Sequence, residues 1–404
     1  MLRRGLVFAL GSAAMVAAVA SPVGADQPVV KEKPTVSKPH SNEAEANDKD
    51  APAKRAKREL TAEQVQLRDR VRPVLAAYQK PILSTAQNGP TEIMSLCLAF
   101  GCDSEVVLDG PDGGRLNGIT CLCWGYPCAG YELLGYDGKF IAAKVGYGYQ
   151  EHPGQFLAVL ALSRVQPAYP LRVGKDVRKV ADLVEAEKLS CRSGSDLSLR
   201  LIGLSYYVDQ PEWKNDLGET WSLPRMMEEE LGQPIATAHE GGLNRLMGLS
   251  YAVIRRAKRG QSIDGQFERA QKYINEFQAY ALKLQNSDGG WGPRFLASRG
   301  KSPDTSAELR STGRVLEWLV LSLPEEQLAD ARIVNSVALV AELLGNQHWH
   351  QTAASTRDIV STGHALHALA LYNQRVFVPV DGSEKPAVQK PATPKPVSEN
   401  AAEE

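Results

Sequence analysis

Apolar residues recur along this chain in short bursts that are apolar around most of a helix. PGQFLAVLALS at 153–163, TGRVLEWLVLS at 312–322 and TGHALHALALY at 362–372 align with one another. DLSLRLIGLSYYV at 196–208 and GGLNRLMGLSYAV at 241–253 are weaker copies. Each holds an anchor followed by residues three and four further on: Leu157/Leu160/Ala161, Leu201/Leu204/Ser205, Leu246/Leu249/Ser250, Leu316/Leu319/Val320 and Leu366/Leu369/Ala370. Ile93/Leu96/Cys97 opens the series. That spacing marks one face of a helix. Amphipathic, charge-rich stretches at about 62–79, 175–190, 222–233, 265–286 and 330–345 predict a second helical family between the bursts.

Successive anchors lie 64, 44, 45, 70 and 50 residues apart, a range that signals repeated supersecondary units. A helix apolar on most sides needs cover on most sides, so the charged family is expected outside the apolar one. The long first gap is the exception. Residues 101–150 hold four cysteines and GYPCAGYELLGYDGKFIAAKVGYGYQ, whose glycines and β-prone pieces predict a Cys-rich, partly β insertion. It is expected to replace or hide the outer helix of the second repeat.

The ends differ from the body. MLRRGLVFALGSAAMVAAVASPVGA places Arg3 and Arg4 before an apolar stretch, then small residues ahead of Asp26. That order predicts a secretory signal peptide over 1–25, leaving no membrane span once cleaved and an N-terminal anchor if it is not. Residues 26–59 and 379–404 are rich in Pro, Lys, Glu and Ala, carry little apolar surface and are expected to be disordered. The folded domain is expected over 60–378, exported to the periplasm or secreted. With 404 residues, 43% of them hydrophobic, the chain has ample material for a core. Its net charge of −1 offers no field that would draw nucleic acid.

An even number of cysteines in an exported chain predicts disulfides among Cys97, Cys102, Cys121, Cys123, Cys128 and Cys191, with connectivity open. The spacings C-x4-C and C-x-C-x4-C lack C-x2-C knuckles, so no metal site is assigned. Cys97, on an apolar face, is also read as a reduced core residue. The run RRAKR at 255–259 reads as charge complementing a helix C-terminus, and EEE at 228–230 as an outer helix surface.

Residues 281–292, ALKLQNSDGGWG, combine Gln285, Gly289 and Trp291 at the end of an apolar run. The glutamine amide can satisfy backbone groups while the indole covers the turn. This resembles the QW motif of the squalene cyclases and protein prenyltransferases. The resemblance implies a closed α/α toroid of about six helical hairpins, and a structural role for the three residues. An open solenoid would use the same repeats, but no copy has the polar face of a terminal cap. The chemistry of that superfamily does not carry over. The D-x-D-D of the cyclases and the G-C-G-E-Q of thioester toroids are missing, and no cysteine follows Cys191 to serve as a prenyltransferase zinc ligand.

Polar residues stand just before the apolar helices: Glu151, His152, Asp196, Glu308 and others. If the inner helices run one way, these turns meet at one mouth, where helix N-termini favour anions. His239, Glu240, Arg310, Arg357, Asp358 and His364 form the candidate ligand site on that basis; the same residues read equally as caps and solvated turns. Gly154, Gly242, Gly313 and Gly363 are expected to begin inner helices at that end. His364 and His367 share a helix face, suited to a site or to packing, and His348 and His350 flank Trp349 in a loop. No catalytic residue and no cofactor is assigned. The expected function is a non-enzymatic toroid binding a small molecule or a protein partner. The alternative is an enzyme working in the cavity, on isoprenoids or on polysaccharides.

Overall fold

Twelve α-helices alternate in character among the described residues. The first half holds α1 (Ala62–Gln79), α2 (Pro90–Phe100), α3 (Gly118–Cys123), α4 (Gln155–Leu162), α5 (Val180–Leu189) and α6 (Ser198–Tyr207). The second holds α7 (Leu223–Gly232), α8 (Leu243–Lys258), α9 (Gly265–Leu284), α10 (Thr305–Ser322), α11 (Ala331–Gly345) and α12 (Thr356–Tyr372). The computed structural model describes residues 59–80, 82–108, 113–235, 238–346 and 355–378. The expected signal peptide, both expected disordered ends and the His348–His350 loop lie outside them. No described helix is long and apolar enough to cross a membrane.

The even-numbered helices carry the apolar anchors, and their leading residues Ile93, Leu157, Leu201, Leu246, Leu316 and Leu366 are all buried. Apart from the short apolar α3, the odd-numbered helices are the charge-rich family. Its expected spans agree closely with the observed ones, except that residues 176–179 form a strand before α5 begins at Val180. Among the even-numbered helices, α4 packs on α6, α6 on α8, α8 on α10, α10 on α12 and α12 on α2. These neighbours run parallel. Gly154 meets Arg200 where Gly203 meets Leu157, and Thr356 meets Glu92 where Gly363 meets Ser95.

The glycines act differently from expectation. Gly154 and Gly242 do precede α4 and α8, with left-handed φ of 76° and 87° that β-carbon-bearing residues rarely adopt. Gly313 and Gly363 instead lie well inside α10 and α12, as close-packing residues. A β-carbon on Gly313 would stand 2.8 Å from Ala365 Cβ, and one on Gly363 2.5 Å from the Ser95 carbonyl oxygen. The helix backbones approach too closely there for a side chain.

The 101–150 insertion is partly β, as its sequence suggests. Strands β1 (Glu105–Val107) and β2 (Arg115–Asn117) pair antiparallel, as do β3 (Leu134–Asp137) and β4 (Phe140–Ala143). The six-residue α3, nearly all of it buried, packs on α2. Two further hairpins pair β5 (Pro170–Val173) with β6 (Asp176–Lys179) and β7 (Trp213–Lys214) with β8 (Thr220–Trp221).

The expected disulfides are overturned: all six cysteines are free thiols. Cys121 and Cys128 stand with their sulfurs 3.9 Å apart, roughly twice the ~2.05 Å of an S–S bond. The cysteines serve as small core residues, and burial pushes the Cys97 and Cys191 thiols up to about 12. Backbone pairing pins the insertion instead, through Val107 N–H to the Leu83 carbonyl (2.9 Å) and Gly118 N–H to Ser104 (2.9 Å).

Two charge runs also differ from their surface reading. Glu230, the last of the EEE run, is fully buried. It accepts from Leu197 N–H (2.7 Å) and the Ser198 hydroxyl (3.0 Å) at the start of α6, and pairs with Arg245 (2.8 Å). In the RRAKR run, Arg255 lies over the Tyr206 ring at 4.7 Å. Arg259 donates to the Tyr206 carbonyl (3.0 Å), so these arginines tie α8 to the end of α6.

The glutamine–glycine–tryptophan turn ties three elements. The Gln285 amide donates to the Gly289 and Arg332 carbonyls, both at 2.9 Å, and to the Ser336 hydroxyl at 2.7 Å. The Trp291 indole N–H donates to the Ala281 carbonyl near the end of α9 (2.8 Å). The Trp291 backbone meets Ser311 and Thr312 of α10. One turn thereby joins α9 to α10 and α11.

Candidate functional site

Helical spacing sets Arg310, Arg314 and Glu317 along one stripe of α10, and Arg357, His364 and His367 along one stripe of α12. The close approach at Gly313 brings these stripes together, and Asn244 joins them from the first turn of α8. Arg314 Nη1 lies 2.6 Å from His364 Nε2, and Arg314 Nη2 donates to Asn244 Oδ1 at 2.7 Å. His364 Nδ1 lies 2.8 Å from one Glu317 oxygen and His367 Nδ1 2.6 Å from the other.

The donor inventory fixes the protonation. A guanidinium only donates, so His364 Nε2 must accept from Arg314. Its proton therefore sits on Nδ1 and is donated to Glu317, which leaves the imidazole neutral. Burial and the Arg314 charge lower the His364 pKa in the same sense. Glu317 is pulled the other way: burial would raise its carboxyl, but the two imidazoles hold it well below the usual carboxylate range.

This network forms one wall of a cavity of about 40 Å³. Aliphatic side chains also line it: Val159 and Leu162 from α4, Leu199 and Ile202 from α6, and Met247 from α8. Glu151, His152 and Gln155, at the start of α4, line the cavity at its other end.

The predicted site residues divide into three groups. His364 reaches the network, and His152 stands 3.9 Å from Asp196 between the starts of α4 and α6. Arg357 is exposed, and Asp358 accepts from the Ser355 hydroxyl (2.7 Å) as part of the α12 cap. Both lie about 10 Å along the helix from His364, at a rise of ~1.5 Å per residue. Arg310 is half-buried one turn above Arg314, and Glu240 is exposed at a left-handed φ of 52°. The His239 side chain lies outside the described residues. Convergence of all six is therefore not what the structure displays; its polar centre consists of Asn244, Arg314, Glu317, His364 and His367.

Sequence reasoning missed Arg314, Glu317 and Asn244. The available signal was two charged residues, Arg314 and Glu317, in the otherwise apolar RVLEWLVL segment, since a buried polar group is the informative departure in an apolar helix. No group of three or more His, Cys, Asp and Glu among the described residues is placed to hold a metal ion. Compared with models of protein families, with curated proteins and with solved structures, the chain matches none.

Proposed function

We propose that this chain is an exported, closed α/α toroid of the architecture its QW turn suggests, working as a non-catalytic scaffold that binds a protein partner at one mouth. Closure is supported by the return of α12 to α2, by the parallel run of the even-numbered helices and by the packing of α2 on α4; just beyond the ends of these two helices the Cys102 sulfur meets the Ser163 carbonyl (3.8 Å). Export rests on the N-terminal pattern of basic, apolar and small residues.

The observation that carries the non-catalytic reading is the size of the cavity. At about 40 Å³ it is far below the ~300–1,000 Å³ of sites that enclose organic ligands. An isoprenoid chain or a glycan does not fit this central cavity; an open surface depression of about 530 Å³, lined by Gln79, Cys102, Asp103, Glu105 and Asn117, lies apart from it. The mouth, in contrast, offers an aromatic anchor. The loop carrying Tyr147 is joined to the start of α2 by Thr91 and Tyr149, and to the start of α4 by Gln150 and Phe156 N–H (2.9 Å). Tyr147 is 92% exposed and Arg357 is exposed at the start of α12, and projecting tyrosines and arginines are favoured at protein interfaces.

The test has two arms on the full chain. Incubation with isoprenoid diphosphates and with oligosaccharides should give no turnover and no thermal stabilisation. Crosslinking in the exported fraction should yield a partner with the wild type and lose it with Tyr147→Ala combined with Arg357→Ala. Turnover of either substrate class, or capture indifferent to both substitutions, would overturn the reading.

A further inference from the structure

The central cavity holds two donors that the fold does not use up. Asn244 is 6% exposed and Arg314 9%. Asn244 gives its carbonyl oxygen to Arg314, while its amide nitrogen, buried at the cavity, has no hydrogen-bond partner among the described residues. A buried amide donor without an acceptor is costly, so this residue of the cavity lining calls for an acceptor. Arg314 adds charge to that demand. Its two hydrogen-bond partners are the neutral oxygen of Asn244 and the neutral Nε2 of His364. A guanidinium has five N–H groups, and two are spent here.

Arg314 is the one guanidinium lining the cavity, and the carboxylates that line it are Glu317 and Glu151. Glu317 turns both oxygens to imidazole N–H groups, one on each histidine, and so reaches Arg314 only through His364. Glu151 and His152 stand at the α4 end, with His152 paired toward Asp196. The rest of the lining is largely aliphatic, with Val159, Ile202 and Met247. At roughly 10–15 Å³ of such space per water, 40 Å³ accommodates about three water-sized groups. That matches a planar anion with one or two carbons attached.

We propose that the cavity binds a short-chain monocarboxylate of about acetate size, its oxygens on Arg314 and the Asn244 amide and its alkyl end on the aliphatic wall. The planar guanidinium suits a carboxylate better than a spherical ion. The site is independent of any partner docked at the mouth, so its failure and the failure of the scaffold reading are separate results.

Thermal unfolding of the full chain tests it, with sodium acetate replacing sodium fluoride at constant ionic strength and neutral pH. The midpoint should rise by about 2 °C for each tenfold increase in acetate beyond its Kd. Asn244→Leu, which removes the free donor at similar volume, should abolish that rise while still unfolding cooperatively. If that variant does not fold, saturation-transfer NMR of acetate with the wild type, displaced by propionate and not by chloride, decides in its place. A rise equal in acetate and chloride, a response to chloride alone, a response retained in Asn244→Leu, or no acetate signal by either method would overturn the proposal.

Discussion

His364 accepts a hydrogen bond from Arg314 across 2.6 Å, in a part-buried pair drawn from two parallel helices. The pairing has a consequence for pH. Protonating the imidazole would place a hydrogen on Nε2, facing a guanidinium that cannot accept it. The folded state therefore resists a proton that the unfolded chain takes up freely.

The sign of the resulting pH dependence follows. The folded pKa of His364 lies below its ordinary value of 6.5, so under pH 6.5 the unfolded state binds more protons than the folded one. Stability is then full above pH 6.5. It falls by up to about 1.4 kcal/mol per pH unit below it, until the folded pKa is reached. Glu317, held below its ordinary 4.5, acts with the same sign at lower pH. His364→Gln should lower stability near neutrality, yet flatten the slope between pH 6.5 and the acid limb. Urea unfolding at a series of pH values measures both, and equal slopes in variant and wild type would remove His364 as the source.

A second expectation concerns the fully buried pair of Glu230 and Arg245. Glu230→Ala leaves a buried guanidinium without its carboxylate and frees Leu197 N–H at the start of α6. Breaking such a pair costs about 3–5 kcal/mol, whereas replacing both partners with apolar residues of similar volume is often near neutral. Glu230→Leu with Arg245→Met should therefore be milder than Glu230→Ala alone. If the single and double variants unfold alike in denaturant, the ion pair is not what orders this junction.

Much of the helical plan was legible because it rests on local periodicity. The leading anchors Leu157, Leu201, Leu246, Leu316 and Leu366 are buried, and α1, α7, α9 and α11 fall where amphipathic spacing puts them. Gln285 and Trp291 were legible because their partners lie mostly within one turn and its neighbouring helices. What failed depends on distance in space. The role of Gly363 is set by Ser95, and the burial of Glu230 by Arg245 and the start of α6. The polar centre was missed for the same reason. Its members come from three helices, and residue spacing within one helix does not reveal which stripe meets which. The cysteine reading failed because cysteine count reports the redox compartment, whereas bonding requires a sulfur geometry that only the fold supplies.

The close approach at Gly363 gives a third prediction. A methyl group there would stand 2.5 Å from a backbone oxygen of α2, which cannot swing aside as a side-chain tip can. Gly363→Ala should cost roughly 1–3 kcal/mol, the usual range for overpacking, despite alanine's better helix propensity. Gly232, in the last position of α7 with no atom close to where a β-carbon would sit, provides the control. Gly232→Ala should be neutral or stabilise by about 0.5–1 kcal/mol. Denaturation midpoints that rank the two substitutions the other way would show that α12 and α2 are not in backbone contact.

The thiols supply the last prediction. Cys97, Cys121, Cys123, Cys128 and Cys191 are buried, and Cys102 is half-buried with its sulfur directed at the Ser163 carbonyl (3.8 Å). Alkylation needs the thiolate, and burial disfavours it by raising the pKa, as at Cys97 and Cys191. Native protein should therefore react slowly with a thiol reagent, with Cys102 labelled first. Denaturation without reductant should release all six thiols at once. Mass spectrometry after alkylation reads both quantities. If fewer than six thiols are labelled in denaturant and reduction restores the rest, the purified chain holds a disulfide and the core around Cys121 and Cys128 must pack differently. Rapid native labelling at Cys97 would instead mean that α2 opens readily from the core.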